Sequence, residues 1–184
     1  MNRKLMAACA LLLTVGMARA ALVELDYQAS GDKKITFDTA SGLQWLDFSV
    51  TVNYSVDGLA AGAGGFYSQG WRHATQEEAD ALYADAGITP YTVDANSLAL
   101  RDLLGATGAN PWDSDNAVGI LGTGHAVILS DTYTGPTFGN WYGTSYADAG
   151  VGNALVRSVP EPSTAAALGA GLAGVVLLRR RRAA

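Results

Sequence analysis

Two uncharged apolar runs, Leu5 to Ala18 and Ala165 to Leu178, leave only the residues between them to build a water-soluble fold. The first follows Asn2-Arg3-Lys4 and ends at Ala18-Arg19-Ala20. Basic, apolar and small-x-small segments in that order make a secretory signal peptide over residues 1–20, recognised at Ala18 and Ala20 by signal peptidase. The only cysteine, Cys9, lies inside that run and leaves with it. The mature domain is therefore expected to have no disulfide, no thiol nucleophile and no thiolate metal ligand. The second run has 14 residues, eight of them Ala or Gly. As a helix it spans roughly 21 Å, short of a bilayer core of roughly 30 Å. Arg179, Arg180, Arg181 and Arg182 behind it should stay on the cytoplasmic side. Pro160 and Pro162 in front of it stop a helix from running back into the domain. A transient hold in the inner membrane is expected, not a lasting anchor, and residues before Val159 should lie on the far side.

Val159-Pro160-Glu161-Pro162-Ser163-Thr164, a short apolar helix and an arginine cluster, in that order, closely resemble the PEP-CTERM sorting signal of Gram-negative bacteria. The resemblance implies that an exosortase, an integral-membrane transpeptidase-like enzyme, recognises and processes Val159 to Thr164. The helix over 165–178 and the arginines would then be lost, and the mature form would be periplasmic, on the cell surface or extracellular. An ordinary single-span tail anchor is the bland alternative, but the span is short for it. Reading the arginines as a nucleic-acid patch conflicts with the apolar helix beside them.

Between the ends, residues 21–158 number enough for one domain with a real core. They contain sixteen acids against five bases (Lys33, Lys34, Arg72, Arg101 and Arg157), a formal charge of −11. Such a domain repels nucleic acid and anionic membrane, and its charge keeps it soluble outside the cell. All four Trp, eight Tyr and four Phe fall within it, which supports a folded aromatic core over a disordered stalk.

Local patterns predict strands over Leu22 to Tyr27, Lys34 to Asp38 and Leu43 to Asp47, the last two joined by the turn Thr39-Ala40-Ser41-Gly42 as a hairpin. Ser55 caps a short helix over Val56 to Ala61. Thr75 and Glu78 form a capping box for a helix that stops at Gly87, and Asp94 caps a helix over Ala95 to Leu104 closed by Gly105. Short strands are then expected over Ala117 to Leu121, His125 to Leu129, Phe138 to Tyr142 and Ala154 to Val156. Strands, central helices and more strands, without βαβ alternation, give an α+β class. The expectation is a single glycine-rich domain of short antiparallel strands with two or three central helices, flanked by the signal peptide and the C-terminal hydrophobic helix.

Asp38-Thr39-Ala40-Ser41-Gly42-Leu43-Gln44-Trp45, Gly70-Trp71-Arg72-His73-Ala74-Thr75-Gln76-Glu77-Glu78 and Ala154-Leu155-Val156-Arg157 also resemble landmarks of a bacterial extracellular family. That family has a C-type-lectin-like fold, known as the terminal domain of a collagen-like adhesin. The chain departs from its pattern at Ser41 and at His73-Ala74, and lacks its cysteines. The resemblance implies a lectin-like fold and supplies no catalytic function.

Trp71, Arg72, Trp112 and Trp141 are the candidate glycan-binding residues: tryptophan stacks on a sugar ring and arginine holds a carboxylate. The alternative for the first pair is structural, with Trp71 in the core and Arg72 locking the helix entry to an acid such as Asp47. The segment Asn110-Pro111-Trp112-Asp113-Ser114-Asp115-Asn116 is read by default as a polar turn. Asp113 and Asp115 there are the only candidate metal ligands, for Ca²⁺, and no other cofactor is expected. His73 and His125 are the only histidines, too few for a zinc site. Ser130 and Asp131 are adjacent and so point to opposite faces of a strand, and Gly-x-Ser-x-Gly is absent. No nucleophile and base pair can be assembled, so no enzyme is expected. The leading expectation is an exported cell-envelope or extracellular-matrix protein and exosortase substrate, with a structural or interaction role among exopolysaccharide or biofilm. The alternative is a lectin-like glycan-binding module, calcium-assisted or not.

Overall fold

A computed structural model describes residues 21–110, 113–138 and 142–159. Residues 1–20, where a signal peptide is expected, residues 160–184, Trp112 and Trp141 lie outside the described residues. Strand β1 (Leu22–Leu25) pairs antiparallel with β2 (Ile35–Asp38), which pairs with β3 (Leu43–Leu46) through a turn whose Gly42 sits at φ +70°. Asp32 shapes the β1–β2 loop: its carboxylate accepts the amides of Tyr27, Gln28 and Ala29 at 2.8–2.9 Å. Those donors hold its pKa well below the usual carboxylate range.

Helix α1 (Val56–Ala60) starts at the expected Ser55 cap, whose hydroxyl accepts the Gly58 amide at 3.0 Å. A glycine-rich loop leads to β4 (Arg72–His73). Helix α2 (Gln76–Asp85) carries the predicted Thr75/Glu78 capping box, and α3 (Ala95–Leu104) carries a second box made by Asp94 and Ser97. The remaining strands are β5 (Gly108–Asn110), β6 (Asp113–Ile120), β7 (Ala126–Ser130), β8 (Thr134–Phe138), β9 (Gly152–Asn153) and β10 (Leu155–Ser158).

The strands form two sheets. One has the order β1-β2-β3-β10-β4; the other runs β5-β6-β7-β8, with β9 added parallel to β6. All other pairings are antiparallel among the described residues. The architecture is α+β, built mostly from short antiparallel strands and helices as the residue pattern implies. Period-two alternation gives each sheet two apolar faces. Trp45 and Val156 pack with Leu82, Tyr83, Leu100 and Leu104 of the helices and with Val127 and Leu129 of the second sheet. Their neighbours Leu46 and Leu155 point the other way, onto Ile35, Leu59, Phe66 and Trp71. Each such buried side chain contributes roughly 1.5–3 kcal/mol before chain entropy is charged against it.

Three local expectations are corrected. A strand runs over Thr134–Phe138; of the one expected over Phe138 to Tyr142, Phe138 is strand and Tyr142 is not, and residues 139–141 lie outside the described residues. Ser130 Oγ accepts the amides of Thr132 and Tyr133 at 3.2 and 2.9 Å, which turns the chain early. Pro136 is tolerated in the strand because β8 is an edge of its sheet. The polar turn over Asn110 to Asn116 is mostly strand: β5 and β6 pair Asn110 with Asp113. Arg72 does not meet Asp47. Asp47, 5% exposed, takes Lys34 Nζ at 2.8 Å, while Arg72 pairs with Glu78 through both terminal nitrogens.

Candidate functional site

The most informative geometry lies where the fold hands over to the C-terminal segment. Strand β10 is no edge: it sits between β3 and β4, with Leu155 and Val156 both fully buried on opposite faces. Arg157 lies across from Gln44 and Ser158 across from Leu43. The Val159 amide then donates to the Gly42 carbonyl at 3.2 Å. The chain is thus still bound to the sheet one residue before Pro160.

Beside this exit lies a cavity of about 470 Å³ lined by Gln44, Gln69, Gly70, Arg157, Ser158 and Val159. Arg157 and Gln44 follow the same alternation as Leu155 and Leu46, two residues away, so they share the Trp71 face of the sheet. The Arg157 guanidinium lies 4.4 Å from the Trp71 ring centroid, and its Nε donates to Gln44 Oε1 at 2.6 Å. Tyr27 meets Trp71 edge-on at 5.9 Å and donates its hydroxyl to Gln69 Oε1 at 3.1 Å. A second cavity, about 230 Å³, lies at the far sheet between Asn116, Asp148, Tyr142 and Tyr146.

Residues 158–182 match the family model of the PEP-CTERM protein-sorting motif. The motif begins on the last residue of β10, so the folded domain and the sorting signal are joined with no linker. It supports an exported protein sorted by exosortase from a membrane-anchored precursor. No curated protein and no solved structure matches the chain, so the lectin-like resemblance has no structural relative behind it.

Of the PEP-CTERM residues, Val159 is described and Pro160, Glu161, Pro162, Ser163, Thr164 and Arg179 to Arg182 lie outside the described residues, as do Ala18 and Ala20. Among the described residues no helix is long and apolar enough to cross a membrane; the run over 165–178 is not among them. Trp71 is 2% exposed and covered by Arg157, so it presents no ring face for a sugar to stack on. Arg72 is exposed and clamps Glu78, which also accepts the Thr75 amide at 2.9 Å, so the residue locks the entry of α2. That pairing raises the arginine's pKa and lowers the carboxyl's.

Asp115 faces Arg101 Nη2 at 3.7 Å. The Asp113 side chain lies outside the described residues, and no cluster of three ligating side chains occurs among those described. His73 is held between the Tyr67 hydroxyl, at 2.6 Å from Nδ1, and Asn153 Oδ1, at 3.1 Å from Nε2. Burial pushes its pKa down. With Tyr67 donating to Nδ1, the ring's proton sits on Nε2 and goes to Asn153. Gln44 and Gln69 carried no site signal in the sequence, because only the β3–β10 register brings Gln44 against Arg157.

Proposed function

We propose that this protein is a non-catalytic component of the cell envelope or extracellular polysaccharide matrix, delivered there as an exosortase substrate. One observation carries the reading: a PEP-CTERM motif fused without a spacer to the closing strand of a folded domain of formal charge −11. A strongly acidic, well-packed domain stays soluble among hydrated polymer and repels nucleic acid and anionic lipid. The motif supports a membrane-anchored precursor processed by exosortase, and the N-terminal Ala18-Arg19-Ala20 would supply the earlier cut by signal peptidase.

Mass spectrometry of the exported protein tests the route. The expected product starts at Ala21 and lacks Arg179 to Arg182, and replacing Pro160, Glu161 and Pro162 together by alanine should trap the precursor in the inner membrane. Recovery of a surface form with its arginines attached would overturn the sorting reading. Extraction of cells unable to make exopolysaccharide tests the destination, since a matrix component should then pass into the medium.

The open cavity at Gln44, Gln69 and Arg157 favours a second reading, a glycan-binding module. A glycan array with and without chelator separates it from a purely structural role, and loss of binding in chelator would bring Asp113 and Asp115 in as calcium ligands.

A further inference from the structure

The five bases of the domain are not treated alike. Lys33 pairs with Glu24 and Lys34 with Asp47, both at 2.8 Å; Arg72 pairs with Glu78, and Arg101 with Asp102 at 2.8 Å. Arg157 alone has no carboxylate partner among the described residues, in a domain holding sixteen acids. Its position is nevertheless fixed. The guanidinium carbon sits 4.4 Å from the Trp71 ring centroid and Gln44 anchors Nε, while Nη1 and Nη2 of this cavity-lining side chain have no hydrogen-bond partner among the described residues.

The two glutamines there already use their oxygens within the protein. Gln44 Oε1 is taken by Arg157 and Gln69 Oε1 by Tyr27, and the Gln69 amide also donates to the Gly65 carbonyl at 3.2 Å. Both glutamines also carry side-chain N–H donors. Among the described residues, no acidic side chain lines the cavity. A fixed, unpaired guanidinium with amide donors around it is complementary to a ligand that only accepts, above all a planar carboxylate held by two parallel hydrogen bonds. The volume, about 470 Å³, falls within the roughly 300–1,000 Å³ of small-molecule clefts.

We propose that the Arg157 cavity is a binding site for the carboxylate of an acidic saccharide, a uronic acid unit in an otherwise sparsely charged polymer. The inference rests on the matrix reading above and gives it a ligand class. Sparse charge follows from the field: sixteen acids repel a dense polyanion, whereas one carboxylate at contact distance gains more from Arg157 than it loses at long range. The neutral hydroxyls of neighbouring sugar units meet Gln44, Gln69 and Ser158.

The test is calorimetric titration of the exported protein with a short oligosaccharide ending in glucuronic acid, and with the same oligosaccharide after reduction of that carboxyl to an alcohol. The acid should bind at least about tenfold more tightly. Truncating Arg157 would also uncover Trp71 and endanger folding, so the decisive variant is Gln44→Glu. It keeps Arg157 on the ring but supplies a carboxylate from within, and it should lower affinity for the acid about tenfold. Lys33→Gln, outside the cavity, should leave binding unchanged. The chain's own Glu161 lies two residues past Val159, so the precursor is titrated as well; weaker binding there that Glu161→Gln restores also supports a carboxylate site. Equal binding of acid and alcohol, absence of binding to both, or full affinity in Gln44→Glu overturns the proposal. A protein that stays in the matrix despite such a result would leave the matrix reading intact, and release from the matrix with intact acid binding would do the reverse.

Discussion

Thr51 and Asn153, 102 positions apart, hold each other through three hydrogen bonds. Thr51 Oγ1 accepts the Asn153 amide at 2.7 Å and reaches the Asn153 carbonyl at 3.2 Å, and Asn153 Nδ2 donates to the Thr51 carbonyl at 3.3 Å. Both residues are fully buried. Asn153 also donates to the Tyr54 carbonyl at 2.8 Å and accepts from His73 Nε2. The pair therefore joins the turn after β3, strand β4 and the approach to β10 in one buried polar hub, where each group has a partner and none is cheap to orphan.

Asn153→Ala removes the side-chain partners of the Thr51 and Tyr54 carbonyls and of His73 at once. Orphaned buried groups cost about 1–3 kcal/mol each, with partial relief from solvent entry. A loss of about 3 kcal/mol is expected in urea denaturation of the exported protein. Thr51→Val, which leaves the Asn153 amide unpaired but keeps the shape, should cost about half of that. An Asn153→Ala loss below 1 kcal/mol would show the hub to be wetter than its burial implies.

The position of β10 constrains processing. Leu155 and Val156 each fill one side of the sheet, and β10 carries hydrogen bonds to both β3 and β4. A cut upstream of Leu155 removes the strand between them and two core side chains, an expected loss comparable to the whole of a domain's usual stability, roughly 5–15 kcal/mol, once pairing is included. The C-terminus of the exported product should therefore fall at or after Val159. A chain ended at Ala154 should be unfolded by circular dichroism, and one ended at Val159 should melt within a few degrees of the full exported form.

Much of this was readable from residues alone, and for identifiable reasons. Helix starts were legible because capping is local: Ser55, Thr75 and Asp94 each announce themselves within three residues of the amide they accept. The β2–β3 hairpin was legible from its turn. Strand β4, only Arg72–His73, exists because β10 pairs with it, and no two-residue stretch can signal a partner more than 80 positions away. The same holds for the Arg157 cavity, whose members come from β3, the glycine loop and β10. Partner choice also escaped the sequence: Asp47 and Glu78 are both acids near a basic residue, and only the fold assigns Lys34 to one and Arg72 to the other.

The His73 contacts set a pH dependence with a definite sign. Burial favours the neutral ring, so the folded pKa lies below the ordinary 6.5. As pH falls through 6.5 the unfolded chain takes up the proton first, and stability declines; above 6.5 the contribution is complete. Thermal melting followed from pH 7.5 to 5 should show this fall in the wild type. His73→Gln, which can still donate to Asn153, should flatten the curve over that range. An equally steep curve in the variant would assign the dependence to other groups.

Arg72 and Glu78 are partly exposed, so their ion pair adds little by itself. Glu78 does more, because it also closes the capping box on Thr75. Glu78→Ala should cost about 1–2 kcal/mol and Arg72→Ala less than about 1 kcal/mol. A double-mutant cycle should return a coupling under 1 kcal/mol that shrinks further in 0.5 M salt. A larger, salt-insensitive coupling would mean that the pair is shielded from solvent.

Two glycines with left-handed backbone separate conformational strain from steric closure. Gly42, at φ +70° in the β2–β3 turn, has open space where a Cβ would stand, so Gly42→Ala should cost only the left-handed penalty of about 1–2 kcal/mol. Gly105, at φ +81° behind α3, would drive its Cβ into the Asp47 carboxylate. That carboxylate cannot simply swing away, since Lys34 Nζ and the Ser49 amide both hold it at 2.8 Å. Gly105→Ala must bear the same backbone strain and also displace the buried Asp47 carboxylate from Lys34, whose side chain is 39% exposed, so the added cost falls below the roughly 3–5 kcal/mol of a fully buried pair. Urea denaturation should therefore find Gly105→Ala less stable than Gly42→Ala by at least 2 kcal/mol. Adding Asp47→Asn to Gly105→Ala should not rescue it, because the amide fills the same space. Equal losses for the two glycine variants would mean that the Asp47 side chain has another place to go, and that the α3 exit is not fixed by this contact.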